Sequence, residues 1–230
     1  MAIFRGGPAA TTISGSVADI VFSRNRGGQY MRRRAIPSRV TSTYALQIKA
    51  ILAAQSQNFR DLTSAQQAAW YAYAQQNPVL NALGAAFTKS GHQAYVAINS
   101  RLSLVSATLL TAPPIAAAPD SLLTYTQNGD IGAGAFTAVY TATPLGAGKK
   151  LWTRAAVVNS PAINYVSNLL RFVGVSAAAQ ASPYDDQTAM ETRLGTLTAG
   201  QTLHVRRHVF DTATGLLSPA LPARVVLTST

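Results

Sequence analysis

Beyond about residue 40, the spacing of apolar residues changes once along the chain. Up to about residue 110 they recur every three or four positions over long stretches, as in helices, and beyond residue 119 they alternate with polar residues, as in strands. Segment 111–119, which lies between these regions, consists largely of proline and alanine. The pattern predicts an α+β chain with a first domain over residues 1–110, a linker over 111–119 and an all-β second domain over 120–230.

The first domain is predicted to open with a β-hairpin over residues 11–35. Ile13, Gly15 and Val17 alternate with polar residues, and Ile20 and Phe22 resume the alternation in a shifted phase, which indicates a bulge. A turn over 25–28, which contains two glycines, would lead into the return strand.

Three helices are predicted to follow the hairpin, over about 41–59, from 64 to just before the Asn-Pro pair at 77–78, and from 90 onwards. The second and third begin with a serine and a glutamine three residues apart, the spacing of a capping box. These pairs are Ser64 with Gln67 and Ser90 with Gln93. In the first helix Ile48, Ile51, Leu52 and Phe59 are predicted to share one side.

The second domain is predicted to contain seven short strands separated by turns. Together they favour an immunoglobulin-like or fibronectin III-like β-sandwich. In the strand over 202–210, the side chains of Leu203, Val205 and Val209 would share one face, while His204, Arg206 and His208 would face solvent. The predicted strands are 122–127, 135–142, 150–158, 169–176, 188–197, 202–210 and 223–228.

Positive charge is concentrated in the first domain. Residues 1–110 hold eleven Lys and Arg against two acids, a balance of +9, whereas residues 111–230 hold eight against six, a balance of +2. Much of the excess lies in the hairpin and just after it, so the sequence predicts that this segment docks on a partner. The predicted docking residues are Arg24, Arg26, Tyr30, Arg32, Arg33, Arg34 and Arg39.

Three interpretations of this arginine run remain open. Arginine can contact an acidic protein surface through bidentate bonds to carboxylates, it can neutralise nucleic-acid phosphates, or it can simply keep a strand edge solvated. Tyr30 is the one aromatic residue near enough to stack on a base, so the pattern expected for single-strand binding is incomplete. Docking on protein is the preferred interpretation.

The residues that catalysis and metal binding use most are scarce. The chain has no cysteine, three histidines and eight acids, and it carries none of the common nucleophile, zinc or nucleotide motifs. On a strand, His204 and His208 would be roughly 13 Å apart, too far to share a metal. Asp185, Asp186 and Glu191 are predicted to lie in a solvated loop, with a weak cation site as the remaining alternative. We therefore expect a protein that is not an enzyme and uses no cofactor or metal.

No membrane partner is expected either. The sequence has no apolar stretch of the length that a spanning helix needs, and its first residues are too polar for a cleaved leader.

The first hundred residues resemble a group of tailed-bacteriophage and prophage proteins that occur among virion genes. The resemblance covers about residues 11–105, and it is carried by Gly15, segments 21–24 and 26–30, Arg32, Pro37, Gln47, segment 62–63, Gln67, Trp70 and Asn99. The second half resembles fibronectin type III and immunoglobulin-like domains, and segment 211–219 is similar to the last hairpin of many of them.

These resemblances imply a structural protein of a phage particle. It would be a capsid or tail accessory, decoration or connector component, present in several copies and so expected to form homo-oligomers in the assembly. It would be assembled in the host cytoplasm and located in the virion, with the acidic surface of a capsid, portal or tail protein as its partner. Two alternatives are a nucleic-acid-binding accessory protein that uses the arginine run, and a carbohydrate-binding adhesin that uses Trp152 and Tyr165.

Overall fold

The α+β chain divides into two units. The computed structural model describes residues 2–4, 13–35, 42–81, 83–132, 136–141 and 143–229. The first unit comprises Met1–Leu104 with Leu109–Pro113, and the second comprises Val105–Thr108 with Pro114–Thr230. Across the described residues the chain forms four helices and several antiparallel sheets.

The first unit opens with a four-stranded antiparallel sheet in the order β1-β4-β3-β2. The predicted hairpin is present as β3 and β4, but the prediction of a bulge before Ile20 is wrong, because a turn lies there. A two-residue turn at Ala18 and Asp19 joins β2 to β3, and it places Val17 directly opposite Ile20. Because opposite residues of an antiparallel pair share a face, the shift in phase reflects a second hairpin. The strands are β1 (Ala2–Phe4), β2 (Gly15–Val17), β3 (Ile20–Asn25) and β4 (Gly28–Arg33).

Three helices follow, as predicted. They are α1 (Thr43–Arg60), α2 (Ser64–Gln76) and α3 (Gly91–Leu104), and a short hairpin of β5 (Val79–Leu80) and β6 (Ala86–Phe87) lies between α2 and α3. The capping box of Ser90 and Gln93 is confirmed by two reciprocal hydrogen bonds of 2.9 and 3.1 Å. The other capping box was predicted one residue too late.

Helix α2 is capped by Thr63 and Gln66 rather than by Ser64 and Gln67. This frees the Gln67 amide to donate to the carbonyl oxygens of Phe59 and Leu62, at 3.1 and 3.2 Å. Since the last carbonyls of a helix lack partners within that helix, Gln67 supplies the end of α1 with a donor.

The helices pack around an aromatic core. Trp70 of α2 is fully buried, its ring lies edge-on to Tyr95 of α3, and its indole N–H donates to the Thr111 carbonyl at 3.0 Å. Tyr95 also contacts Phe59 of α1, so each helix contributes at least one ring. Leu52 is exposed, contrary to the prediction, and the buried residues of α1 are Gln55 and Phe59.

The second unit contains two antiparallel sheets. One has four strands in the order β10-β9-β12-β13, and the other has three in the order β11-β8-β7. Six of the seven predicted strands are present, with bounds that shift by a few residues. The strands are β7 (Thr124–Gln127), β8 (Thr137–Thr141), β9 (Lys149–Val158), β10 (Arg171–Val175), β11 (Tyr184–Asp185), β12 (Thr202–Asp211) and β13 (Leu221–Val226).

The predicted strand over 188–197 is wrong, because this segment forms helix α4 (Gln187–Leu194). Met190 and Leu194 contribute to the core, and their spacing of four residues fits one face of a helix as well as one face of a strand. Gly195 then ends the helix with a φ of +98°. That conformation is open to glycine and costly for other residues.

Residues from both sheets and from α4 share the core of the second unit. Phe136, Ala155, Met190, Leu203 and Leu227 form one buried cluster. In a second cluster, Tyr140 of β8 is buried together with Leu151 of β9 and Val209 of β12. Trp152 is buried and packs on Phe172 and Phe210.

Candidate docking surface

The predicted docking residues lie on the sheet of the first unit. The pairing of Ile20 with Arg33 and of Phe22 with Met31 places these four side chains on one face. Arg24 belongs to the same face, since it lies two residues beyond Phe22.

Arg32 lies on the opposite face, because it pairs with Val21, and Tyr30 shares that face through its pairing with Ser23. Arg26 is in the turn between β3 and β4, and Arg34 follows directly after β4. The structure therefore brings six of the seven predicted residues onto one small sheet but distributes them over both faces and the tip. Arg39 lies outside the described residues.

The described strands β2, β3 and β4 have exposed side chains on both faces of this sheet, next to half-buried ones. None of the side chains that the structure describes in β2, β3 and β4 is buried. Several apolar side chains are open to solvent, with Val17 69%, Ile20 43% and Met31 38% exposed. Since Val17 and Ile20 are cross-strand partners, they form a continuous apolar area beside the arginines.

The charges of the sheet are poorly balanced from within. Among residues 13–35 five arginines face one acid, Asp19. The nearest approach of Asp19 to a guanidinium is 4.0 Å, to Arg33, and both side chains are more than 80% exposed. Ion pairs of this kind contribute little, because water and salt screen them. The sheet therefore carries a positive field that is available to a partner.

One end of the sheet is fixed to the helical part of the first unit. The side-chain amide of Asn81 donates to the Gly27 carbonyl at 2.9 Å, in the turn between β3 and β4. The Asn81 oxygen accepts from the backbone N–H groups of Leu83 and Ala85, both at 2.9 Å, and so holds its own loop in shape. No pattern in the sequence singled out Asn81, which sets the position of the hairpin tip.

The prediction that the acidic residues of the second unit lie in a solvated loop is wrong for Asp186. This carboxylate is buried and faces the guanidinium of Arg207 at 3.0 Å, and the side chain of Arg207 is 0% exposed. Tyr125, Gln127 and Thr153 also accept hydrogen bonds from Arg207, at 2.8 to 3.0 Å. Burial alone lowers the pKa of Arg207, but the carboxylate of Asp186 and the hydroxyl of Tyr125 outweigh it and raise that pKa.

A pocket of about 520 Å³ lies beside α4 in the second unit. Its lining includes Tyr184, Asp185, Asp186 and Arg193. The Nε–H of Arg193 donates to the Phe172 carbonyl, and Asp186 is held by Arg207, so the charged groups of this lining also have structural contacts.

Two signals in the sequence could have revealed the ion pair between Arg207 and Asp186. Arg207 occupies an inward position in the alternation of β12, and an arginine there needs a buried acid.

The expectation that the histidines face solvent is wrong for His204. This residue is buried, and its pKa is lowered by burial and by the nearby charge of Arg224. His208 is half-buried, with Nδ1 2.8 Å from the Ser218 carbonyl oxygen. Within the described ranges, no three His, Cys, Asp or Glu side chains are grouped closely enough to hold a metal ion.

The adhesin hypothesis loses one of its two residues. Trp152 is 6% exposed and buried between aromatic neighbours, whereas Tyr165 is 77% exposed. They therefore form no common platform for a sugar. Among the parts of the chain that the structure describes, no helix combines the length and apolar character that crossing a membrane requires.

Comparison of the chain with protein-family models, with curated proteins and with solved structures found no match.

Proposed function

We propose that this chain is a non-enzymatic structural component of a tailed-phage particle that docks through the sheet of its first unit. Its partner is the acidic surface of another virion protein of the capsid, portal or tail. The observation that carries the proposal is that strands β2, β3 and β4 expose arginine and apolar side chains together on one small sheet. The resemblance of residues 11–105 to virion-associated proteins supports the same assignment.

A sheet of this kind gains little stability by itself. Small sheets become stable when one face is buried against another layer, because burial of apolar side chains offsets the loss of chain entropy. Here Val17 and Ile20 remain exposed within the unit, and the tip is held by Asn81. Docking would bury this apolar area against a layer that the partner supplies.

Charge decides which partner fits. Two copies of this sheet packed face to face would bring arginines together, a repulsion that an acidic partner avoids. The exposed apolar residues favour a protein over a nucleic acid, because protein interfaces combine an apolar centre with arginine, whereas phosphate backbones offer charge alone. Neighbouring copies in the particle would then be related by the symmetry of the protein on which they dock.

We also infer that the second unit is an immunoglobulin-like sandwich of the fibronectin III type, presented by the docked first unit. Its two antiparallel sheets share one core, and the chain passes between them after β8, β10 and β11. Greek-key connections of this type are typical of such sandwiches. In this chain α4 occupies part of the connection between β11 and β12.

Incorporation into particles tests the proposal. Particles would be purified from cells that express the tagged chain as wild type, as Val17→Ser/Ile20→Ser, as Arg32→Ala/Arg33→Ala, and as the control Arg171→Ala in the second unit. We expect wild type and control to co-purify with particles and both sheet variants to be lost. Absence of the wild-type chain from clean particles would remove the proposal.

The nucleic-acid alternative gives a different result. It predicts that the arginine variant loses DNA retention, that affinity falls steeply with salt, and that the Val17→Ser/Ile20→Ser variant binds DNA as well as wild type does. Loss of incorporation in the apolar variant therefore supports docking on protein, and full incorporation of that variant contradicts it.

A further inference from the structure

The second unit has a four-stranded sheet of β10, β9, β12 and β13, and one of its faces points away from the core. Three arginines lie side by side on that face. Arg206 of β12 is the direct cross-strand partner of Arg154 of β9. Arg224 of β13 pairs with His204, two residues before Arg206 on the same strand. Directly opposite residues share a face, so these side chains form one group, which we call the arginine row (Arg154, Arg206 and Arg224).

The arginine row lacks a counter-charge of its own. Like charges directly opposite each other on neighbouring strands are destabilising, since their Cβ atoms are only about 5 Å apart. Among the described residues, no carboxylate comes within ion-pair distance of these three guanidinium groups. An anion between them would convert this repulsion into attraction.

The segment 159–170 lies against the arginine row and adds neutral acceptors only. Ser167 Oγ accepts from Arg206 at 3.3 Å, and the Pro161 carbonyl accepts from Arg224. The segment contains no acid, and Tyr165 is its one titratable side chain. Each guanidinium has five N–H donors, so one such bond leaves donors for a ligand.

His204 lies beside the arginine row and is nine-tenths buried. Its Nε2 has no hydrogen-bond partner among the described residues. A buried polar atom without a partner carries a desolvation cost that a ligand could relieve. Burial and the charge of Arg224 lower the pKa of the imidazole, and they outweigh a hydrogen bond to the Ile163 backbone that raises it. Near neutral pH the ring would therefore add a neutral hydrogen-bonding group.

We propose that the arginine row binds a phosphate-type oxyanion, either the free ion or the phosphate group of a phosphomonoester. A carboxylate has two oxygens and a single charge, which one guanidinium fork can satisfy. A phosphate has four oxygens and close to two negative charges, which matches three guanidinium groups from neighbouring strands. This site is on the second unit and is independent of the docking sheet.

Thermal unfolding of the second unit tests this site with inorganic phosphate as the probe, against chloride at equal ionic strength. We expect the unfolding temperature of wild type to rise with the logarithm of phosphate concentration, because a ligand of the native state stabilises it by mass action. Arg154→Gln should lose most of this rise. Arg171→Gln, an exposed arginine that pairs with Ala155 of the core face, should retain it.

The same variant provides a control for folding. In phosphate-free buffer Arg154→Gln should unfold at the wild-type temperature or above it, since the substitution removes repulsion from Arg206. A fall in that temperature, no phosphate response in wild type, or an equal response in Arg154→Gln would each overturn the proposal.

Two further measurements locate the ligand and its source. Phosphate should raise the pKa of the His204 imidazole, measured by NMR titration, because an adjacent anion favours the charged ring. An unchanged His204 pKa in wild type would contradict binding at this place. Glycerol 2-phosphate then separates the two sources. A response equal to that of phosphate indicates an ester group, and a response to inorganic phosphate alone indicates the free ion.

Discussion

Replacing Arg207 with methionine should destabilise the second unit strongly. The substitution leaves the Asp186 carboxylate, whose side chain is 2% exposed, without its cation. It also removes the donor that Tyr125, Gln127 and Thr153 share. Breaking a buried pair in this way costs about 3–5 kcal/mol, because the remaining charge is desolvated and uncompensated.

The neighbouring Arg206→Met is the matched control. Arg206 lies on the same strand but on the opposite face, where, among the residues that the structure describes, its guanidinium bonds to Ser167 alone. In phosphate-free buffer its loss should change the free energy of unfolding by no more than about 0.5 kcal/mol. The contrast between the two variants isolates the buried pair from the general effect of losing an arginine.

Urea unfolding followed by tryptophan fluorescence measures the difference. The chain has two tryptophans, so in a Trp70→Phe background Trp152 alone reports on the second unit. The double variant Asp186→Leu/Arg207→Met should recover most of the lost stability, since apolar replacement of a whole buried pair is often close to neutral. Additive losses in the double variant, or equal losses for Arg207→Met and Arg206→Met, would refute this reasoning.

Three further predictions concern single residues. Asn99→Ala should lower the free energy of unfolding of the first unit in urea by about 1–3 kcal/mol, because the buried Asn99 side chain bonds both the N–H and the carbonyl of Leu110. An unchanged urea midpoint would contradict this. Gly91→Ala should lower the unfolding temperature, since its Cβ would lie 2.7 Å from the backbone nitrogen of Tyr71. Gly174→Ala should not, because a Cβ there meets nothing within 4 Å, and equal effects would count against close packing of Gly91 on Tyr71. His204 has a pKa below its ordinary 6.5, so the native state binds fewer protons than the unfolded state, and the free energy of unfolding should decrease as pH falls through 6.5. His204→Gln should flatten this slope in urea titrations at pH 5 to 8, and identical slopes would exclude His204 as its source.

The sequence determined the elements that depend on local spacing. The bonds between Ser90 and Gln93 that begin α3 join residues three apart, so the pattern was visible without any tertiary contact. The long alternation over 202–210 likewise predicted β12. Where two periods fit equally, the prediction was wrong, as at Met190 and Leu194, whose spacing of four residues is compatible with a strand and with a helix.

Only the tertiary structure decided which charges are buried and which apolar residues are exposed. Arg207 and Asp186 are 21 residues apart and meet because α4 and β12 enclose the same core, and no local pattern contains that distance. Conversely, Val17 and Ile20 have the character of core residues, yet no described layer of the first unit covers them. Burial depends on which surfaces meet in space, whereas sequence periodicity shows only which residues share a face.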